Sequence, residues 1–517
     1  MIRRRTLFFA VGAIALAFYL VTMPPSITWR NDGVDSGDLA TAVAVGGVPH
    51  PPGYPTYLVA AGIFKQLPWG DVAYRLNLLS AVSAALAAAL ISLVIYQTLG
   101  QAQSSPEGQP EQQTRILIWF CALAAGLTLA FASTFWSQAV ITEVYTLNAL
   151  FAAGLLYGVL QVTAANKRWL VPALAALFGL SLGNHLSIVF VLPLLLWLLK
   201  AYWSRQLVIT SALALGLGLL VYLIIPLRAA GLPPVNWGRA ITWPNFLWLV
   251  RADLYHHFVF ALPRHLVPDR TLAELRLVNE AFLWWGLPVG MLGWLRLVRF
   301  NPAWGYGSLV VFLLISVYAI GYNTSDSYVL LLPALLMISL WMGWGLFDLS
   351  SMLQPFIMSR VKSPYFLGAI LLLLPLLSLC LNFADQNLSR DTEANNFAQQ
   401  SLNLVEPDAM IITDDDPRTF ALWYNHYALG LRPDVAIVNV NLLAHAWYRQ
   451  NLQQTYPQLH LADPANRPTT TLQALVEQNL VTRPIYLAII PPLPELRDYQ
   501  YEPLEHLQQV IEPATPR

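Results

Sequence analysis

The chain of 517 residues carries 29 Lys and Arg against 29 Asp and Glu, so its net charge is zero, and 56% of it is hydrophobic while only 11% is charged. A soluble globule of that length would show water too much apolar surface, which excludes a soluble enzyme and leaves a polytopic membrane protein. Balanced charge gives no nucleic-acid footprint and no acidic tail, and Cys121 and Cys380 each sit inside an apolar run, where they read as packing residues and not as a disulfide or metal site.

A helix crossing about 30 Å of hydrocarbon needs roughly 20 apolar residues. The first such run is 7–22, preceded by Met-Ile-Arg-Arg-Arg; "VTMPPS" comes next in place of a small-x-small cleavage site, so the expectation is a retained helix with its N-terminus in the cytoplasm. Further runs fall at 74–99, 116–131, 144–163, 170–182, 188–199, 207–227, 282–297, 305–320, 329–347 and 366–381, about eleven spans in all. Arg3 to Arg5, Arg115, Lys167 with Arg168, Lys200 with Arg205, Arg296 with Arg299, and Arg360 with Lys362 then fall on one side, which the positive-inside rule makes cytoplasmic. The tract "QAQSSPEGQPEQQ" at 101–113 reads as a cytoplasmic linker.

The expected organisation is a transmembrane domain over 1–383, with a first extracytoplasmic loop at 24–73 and a long loop at 228–280. A polar extracytoplasmic α/β domain occupies 384–517. In it "DAMIIT", "DVAIVNV" and "RPIYLAII" read as short buried strands and "TFALWYNHYAL" as a helix.

The first loop contains "DSGDLATAVAVGGVPHPPGYP". Asp32, Asp35 and Asp38 recur every third residue; on a helix starting here Asp35 is the N-cap and the three acids point outward along one face, able to attract a cation or a hydroxyl proton. Capping alone is the competing reading, as is a simple turn for His50 in His-Pro-Pro-Gly. The spans are nearly free of charge. Ionisable groups gather instead at one face: Asp35, His50, Arg75, Glu143, His185 and Arg228. That distribution disfavours a transporter, which needs polar groups along its path, and suits an interfacial enzyme drawing a lipid-borne substrate from the bilayer. For each residue a structural alternative stays open: headgroup anchoring for Arg75 and Arg228, dipole capping for Glu143, a neutral interhelical hydrogen bond for His185, and a solvated strand-to-helix turn for the "DDD" at 414–416. The apolar, proline-broken stretch "GYPTYLVAAGIFKQLPWG" is expected to lie along the interface, and it and the 228–280 loop with His256 and His257 are candidates to roof a groove for a prenyl tail.

The segment "DSGDLATAVAVGGVPHPPGYPTYLVAAGIFKQLPWGDVAYRLNLLSAVSAALAAAL", with "FWSQAVITEVYTLNAL", "LSLGNHLS" and "PLRAAGLPPVNWG", resembles a family of multi-spanning proteins similar to the GT-C superfamily of polyprenyl-phosphate-dependent glycosyltransferases, a family that includes the transmembrane protein O-mannosyltransferase of the animal secretory pathway. The likeness is densest over 30–240; one departure is Asp38, where the family usually has Glu. The resemblance implies an α-helical polytopic GT-C-like fold in the plasma membrane. It also implies an inverting transfer of a sugar, mannose by family analogy, from a polyprenyl-phosphate donor to a hydroxyl of an exported protein or glycan. Because a phosphate leaves as a stable anion, one base and some positive charge suffice. On this basis Asp35 is the expected catalytic base, and Asp38, His50, Tyr54, Arg75, Asn77, Glu143, Tyr145, His185 and Arg228 are the expected substrate-binding residues. His50, Arg75 and Arg228 are the candidates for the phosphate. No cofactor is required; a divalent cation, if one is used, would fall to Asp32, Asp35 and Asp38. Two other classes remain as alternatives: a flippase of lipid-linked sugars and a non-catalytic lipid-glycan-binding subunit.

Overall fold

The computed structural model describes residues 4–104, 111–358, 364–461, 471–489, 496–497 and 499–513. Arg3, Arg360 and Lys362 and residues 105–110 of the tract 101–113 lie outside the described residues. The chain divides into two units, one of residues 1–23, 77–222 and 256–389, the other of residues 24–76, 223–255 and 390–517.

The first unit is helical. Among the described residues of the chain, eight helices are long and apolar enough to cross a bilayer: Arg4–Thr22, Val72–Ala102, Gln112–Ala130, Tyr145–Ala165, Arg205–Ala229, Pro302–Gly321, Ser327–Phe356 and Tyr365–Gln386. A ninth exists if Arg264–Ala281 and Gly286–Phe300, bent by 87°, form one span. The sequence count of eleven also took in 170–182 and 188–199. The structure makes these the short helices Leu170–Leu182 and Leu186–Tyr202. At 1.5 Å per residue the 13 residues of the first reach only about 20 Å and the 17 of the second about 25 Å, short of about 30 Å of hydrocarbon. Packing in this unit relies on small residues and on indole and hydroxyl donors reaching across helices. Gly293 faces Gly345 so closely that a Cβ there would collide with the Trp341 carbonyl oxygen. Tyr19 Oη donates to Ala130 O at 2.7 Å, and Trp344 Nε1 to Thr98 Oγ1 at 3.1 Å.

The second unit holds a five-stranded sheet: β1 (Met410–Thr413), β2 (Ala436–Asn439), β3 (Ile485–Leu487), β4 (Tyr499–Leu504) and β5 (Leu507–Pro513), in the order β2-β1-β3-β5-β4. β1 pairs in parallel with β2 and β3, and β5 runs antiparallel to β3 and β4. The first three strands coincide with the three apolar runs read from the sequence; their wholly buried faces explain why those runs do not alternate. The hairpin β4–β5 has polar residues at most positions of β4, which hid it from the hydropathy pattern.

Also in this unit, the helix Ser36–Val45 packs on the helix Asp416–Trp423. Gly37 makes the approach possible: a Cβ there would lie 2.5 Å from the Phe420 carbonyl oxygen. Gly46, at φ 70°, ends the helix in the left-handed region, and Lys65 Nζ donates to the terminal carbonyls of Val43 and Ala44 at 3.2 and 2.7 Å. The helix Pro55–Phe64 buries Pro55, Tyr57, Leu58 and Ala61 and exposes Val59 and Ile63.

Candidate active site

The turn Arg30–Asp35 leads into the helix Ser36–Val45. Asp35 occupies the N-cap position but makes no capping hydrogen bond, so its carboxylate is not spent on the helix start. The simple capping reading fails here. Asp38, one turn later, points inward and is wholly buried, which corrects the expectation of three acids outward on one face.

Asp38 is held by three donors. Its Oδ2 accepts from the His50 backbone N–H at 2.9 Å and from His50 Nδ1 at 2.7 Å, and its Oδ1 accepts from Trp237 Nε1 at 2.9 Å. A buried carboxylate needs such donors, and here they fix the imidazole: with the Nδ1 proton directed at Asp38, Nε2 is the ring nitrogen turned toward the rest of the site. That nitrogen lies 3.1 Å from Tyr54 Oη and 3.4 Å from Asp35 Oδ2. The result is a chain of groups, Asp38 to His50 to Asp35, whose inner members are buried and whose last carboxylate is 37% exposed. Tyr54 takes its place from a backbone at φ 41°, an unfavourable region for a tyrosine, immediately after Gly53 at φ 83°. Arg228 Nη1 donates to Gly47 O at 3.2 Å and so braces the same loop, while its other nitrogens make no hydrogen bond among the described residues.

Two residues that sequence reasoning did not single out, and one that it read only as part of an acidic strand-to-helix turn, join this array. Trp237, 3% exposed, pins Asp38 and packs on Phe420, Trp423 and Trp447 with centroids 6.3, 6.3 and 5.3 Å away. It lies in "NWG", a stretch that carries family likeness but was given no role. Tyr255 faces His50 with ring centroids 6.4 Å apart. Its burial, helped by Asp35, Tyr54, Asp416 and Asp38, holds the phenol well above its usual range and keeps it neutral. Asp416, at the start of the helix Asp416–Trp423, is exposed to solvent. The protein crowded beside it still strips away enough water to push its carboxyl up to about 6, with Asp35 adding to the rise and His50 opposing it. The only sequence signal for Asp416 was its place in the acidic triplet.

Arg75 spends its guanidinium on the carbonyls of Lys65, Trp69 and Gly70 at 2.7, 3.0 and 2.9 Å, binding one turn together. Asp32 sits exposed at φ 56°. With Asp38 already enclosed, Asp32, Asp35 and Asp38 do not converge, and among the described residues no group of three or more His, Cys, Asp or Glu is arranged to hold a metal ion. Asn77, Glu143, Tyr145 and His185 belong to the helical unit. There Asn77 Oδ1 accepts from Thr142 Oγ1 at 2.7 Å, and Glu143, buried, is tied through its backbone to Ser80 Oγ. Tyr145 packs on His185 with centroids 5.5 Å apart, and His185 Nδ1 lies 2.8 Å from Ser187 Oγ.

Comparisons with known proteins bear on this geometry. Residues 35–210 match the family model described as the protein O-mannosyl-transferase TMEM260 N-terminal domain, and residues 394–464 match TMEM260-associated domain 2. The mouse protein O-mannosyl-transferase TMEM260 is 26% identical over 506 residues, covering 92% of this chain and 68% of its own length. The Dictyostelium discoideum protein of that name is 20% identical, covering 91% and 62%. A crystal structure of ArnT from Cupriavidus metallidurans bound to undecaprenyl phosphate superposes with a TM-score of 0.56 at 14% identity, covering 98% of this chain and 97% of ArnT. The chain has the GT-C fold and resembles the TMEM260 family.

The TMEM260 N-terminal match begins at Asp35 itself and includes Asp38, His50, Tyr54 and the Glu143 and His185 regions. The second TMEM260 match includes Asp416, Trp423 and Trp447. Trp237 and Tyr255 lie between the two matched segments.

Proposed function

We propose that this chain is an inverting membrane glycosyltransferase that moves a sugar, mannose by analogy with the relatives' names, from a polyprenyl-phosphate donor to a hydroxyl of an exported protein. The observation that carries the reading is the array Asp38–His50–Asp35, which begins at a buried carboxylate and ends at one that solvent reaches. The acceptor oxygen attacks the anomeric carbon, the bond from that carbon to the phosphate oxygen breaks, and its electron pair leaves on the phosphate. The acceptor's proton passes to Asp35. Asp38 orients His50, whose Nε2 lies beside Asp35 at 3.4 Å; general-base help of this kind is worth about 10²–10⁴-fold. Arg228, whose fork is largely uncommitted, is the cation offered to the phosphate. The ArnT likeness, to a protein crystallised with undecaprenyl phosphate, supports a polyprenyl-phosphate donor. The short basic loops favour an N-terminus in the cytoplasm and a domain after 384 on the outer face; a plasma-membrane location belongs to the same reading.

The deciding experiment assays full-length protein with a polyprenyl-phosphate mannose and a Ser/Thr-containing peptide, and compares Asp35→Asn. Transfer should fall at least about 100-fold while donor binding survives. Unchanged transfer removes Asp35 from the mechanism, and wild-type protein that binds donor without transferring it returns the reading to a binding subunit.

A further inference from the structure

Strand β1 lies between β2 and β3, both parallel to it, so the strand order reverses at β1. In open sheets of this kind ligands bind in the crevice beyond the carboxyl ends of the strands at that reversal. Strand β1 runs directly into Asp414-Asp415-Asp416. Two of these acids have structural roles. Asp414 and Asp415 each lie 3.5 Å from Arg418 Nη1, and Asp415 caps the helix by accepting from the Arg418 backbone N–H at 3.1 Å. Arg418 in turn donates to Ala488 O, just past β3, at 2.8 Å. Asp416 has no ion pair and no side-chain hydrogen bond among the described residues.

Three contacts hold the first turns of this helix against the Asp35 turn and the helix that follows it. Trp29 Nε1 donates to the carbonyl of Pro417 at 3.1 Å. Gly37 abuts the Phe420 carbonyl, and Trp237, which grips Asp38, packs on the Phe420 ring. The charged and titratable groups that act on Asp416 are Asp35, His50 and Asp38, its own neighbour Asp415, and Tyr255, which shares the space. Asp35 is near enough to raise the proton affinity of Asp416, and with no donor from the described residues the exposed Asp416 carboxylate is open to a donor from outside the chain.

We propose that Asp416 is a second substrate-contacting carboxylate of the Asp35 site, accepting a hydrogen bond from a substrate hydroxyl, and that protonating it disables binding. The proposal rests on the glycosyl-transfer reading above and deepens it: the C-terminal α/β domain contributes directly to the reaction centre. The hydroxyl belongs either to the donor sugar or to the acceptor, and kinetics separates the two.

The test measures kcat and KM for a polyprenyl-phosphate mannose and for a Ser/Thr-containing peptide between pH 5 and 8, in full-length wild type, Asp416→Asn, Asp416→Glu and Asp35→Asn. Losing one charge-assisted hydrogen bond should raise KM about tenfold or more for the substrate concerned, the donor if the sugar is held and the peptide if the acceptor is. Wild-type kcat/KM should fall as pH drops through about 6, and Asp416→Asn should lose that acid limb while Asp416→Glu keeps part of it. Asp35→Asn should instead lose kcat at every pH. Wild-type KM values and an unchanged acid limb in Asp416→Asn overturn the proposal. Should wild type transfer nothing, which strikes the transfer reading alone, binding of the same donor at pH 5 and 7.5 decides. Binding that weakens at pH 5 in wild type and is weak at both values in Asp416→Asn supports Asp416; identical binding in both proteins overturns it.

Discussion

A single buried acid shows how the site is assembled. Asp38 is one carbon shorter than the Glu usual in the family the chain resembles, and its three donors come from two sources far apart in sequence, His50 and Trp237. Each donor to a charged acceptor is worth about 1.5–3 kcal/mol, so the enclosed carboxylate is fully employed in aiming the imidazole. Asp416 is the opposite case, an acid the fold raises to about 6 and leaves unpaired. The unfolded chain ionises it near 3.8, so the folded state binds the extra proton between the two values. Stability from this group is therefore full below about pH 4, falls as pH rises through about 6, and is absent above. Asp416→Asn should accordingly melt at a higher temperature than wild type at pH 7.5 and at nearly the same temperature at pH 4.5, measured by thermal unfolding in one detergent; a lower melting temperature at pH 7.5 would show that Asp416 has a stabilising partner. A gain in stability coupled to weaker substrate binding is the pattern expected of a functional residue.

At the scale of elements, the close approach of the helices Ser36–Val45 and Asp416–Trp423 sets the distance between their acids. Gly37→Ala drives a methyl into the Phe420 carbonyl, where the neighbour is backbone and yields only if a helix moves. Overpacking of this kind costs about 1–3 kcal/mol, and the displaced helix carries Asp416 with it. Activity should fall more than about tenfold, because an ångström of misplacement weakens positioned groups by that much or more, while expression survives; near wild-type activity in Gly37→Ala would show that the two helices have slack. Much of this level was legible in the sequence. The three parallel strands stood out as β-branched runs, and the first loop stood out because His-Pro-Pro-Gly and three acids are locally unusual. The acidic triplet was readable only in part: the turn reading fits Asp414 and Asp415, which pair with Arg418, and the exposed Asp416, but it gave no sign that Asp35, Asp38 and His50 from the far end of the chain act on Asp416. Trp237 and Tyr255 were invisible for the same reason, since an indole in Asn-Trp-Gly gives no hint that its N–H meets a buried carboxylate.

For the whole molecule, the unit that holds the candidate site is built from three separated stretches of chain, 24–76, 223–255 and 390–517. The sequence boundary near 384 located the composition shift but not this assembly, because hydropathy reports what is polar and not what packs together. The first two stretches cover the C-terminal one at specific places: Trp237 on Phe420, Trp423 and Trp447, Trp29 on Pro417, Asn236 O accepting from Asn451 Nδ2 at 2.8 Å, and the Ala73 N–H donating to Tyr424 Oη at 3.1 Å. Phe420, Trp423 and Trp447 are between 2% and 9% exposed as a result. Stripping roughly 100 Å² from each at about 25 cal/mol/Å² removes on the order of 5–10 kcal/mol, as much as the entire stability of an ordinary domain. A fragment beginning at Arg390 should therefore fail to fold alone, giving red-shifted tryptophan emission and a collapsed amide spectrum, whereas in the full-length protein the amides of β1 and β2 should be among the slowest of this unit to exchange with deuterium. A fragment with dispersed resonances and a cooperative melt would mean that the C-terminal domain owns its core, and that the residues around Asp416 are set before the first loop and Trp237 arrive.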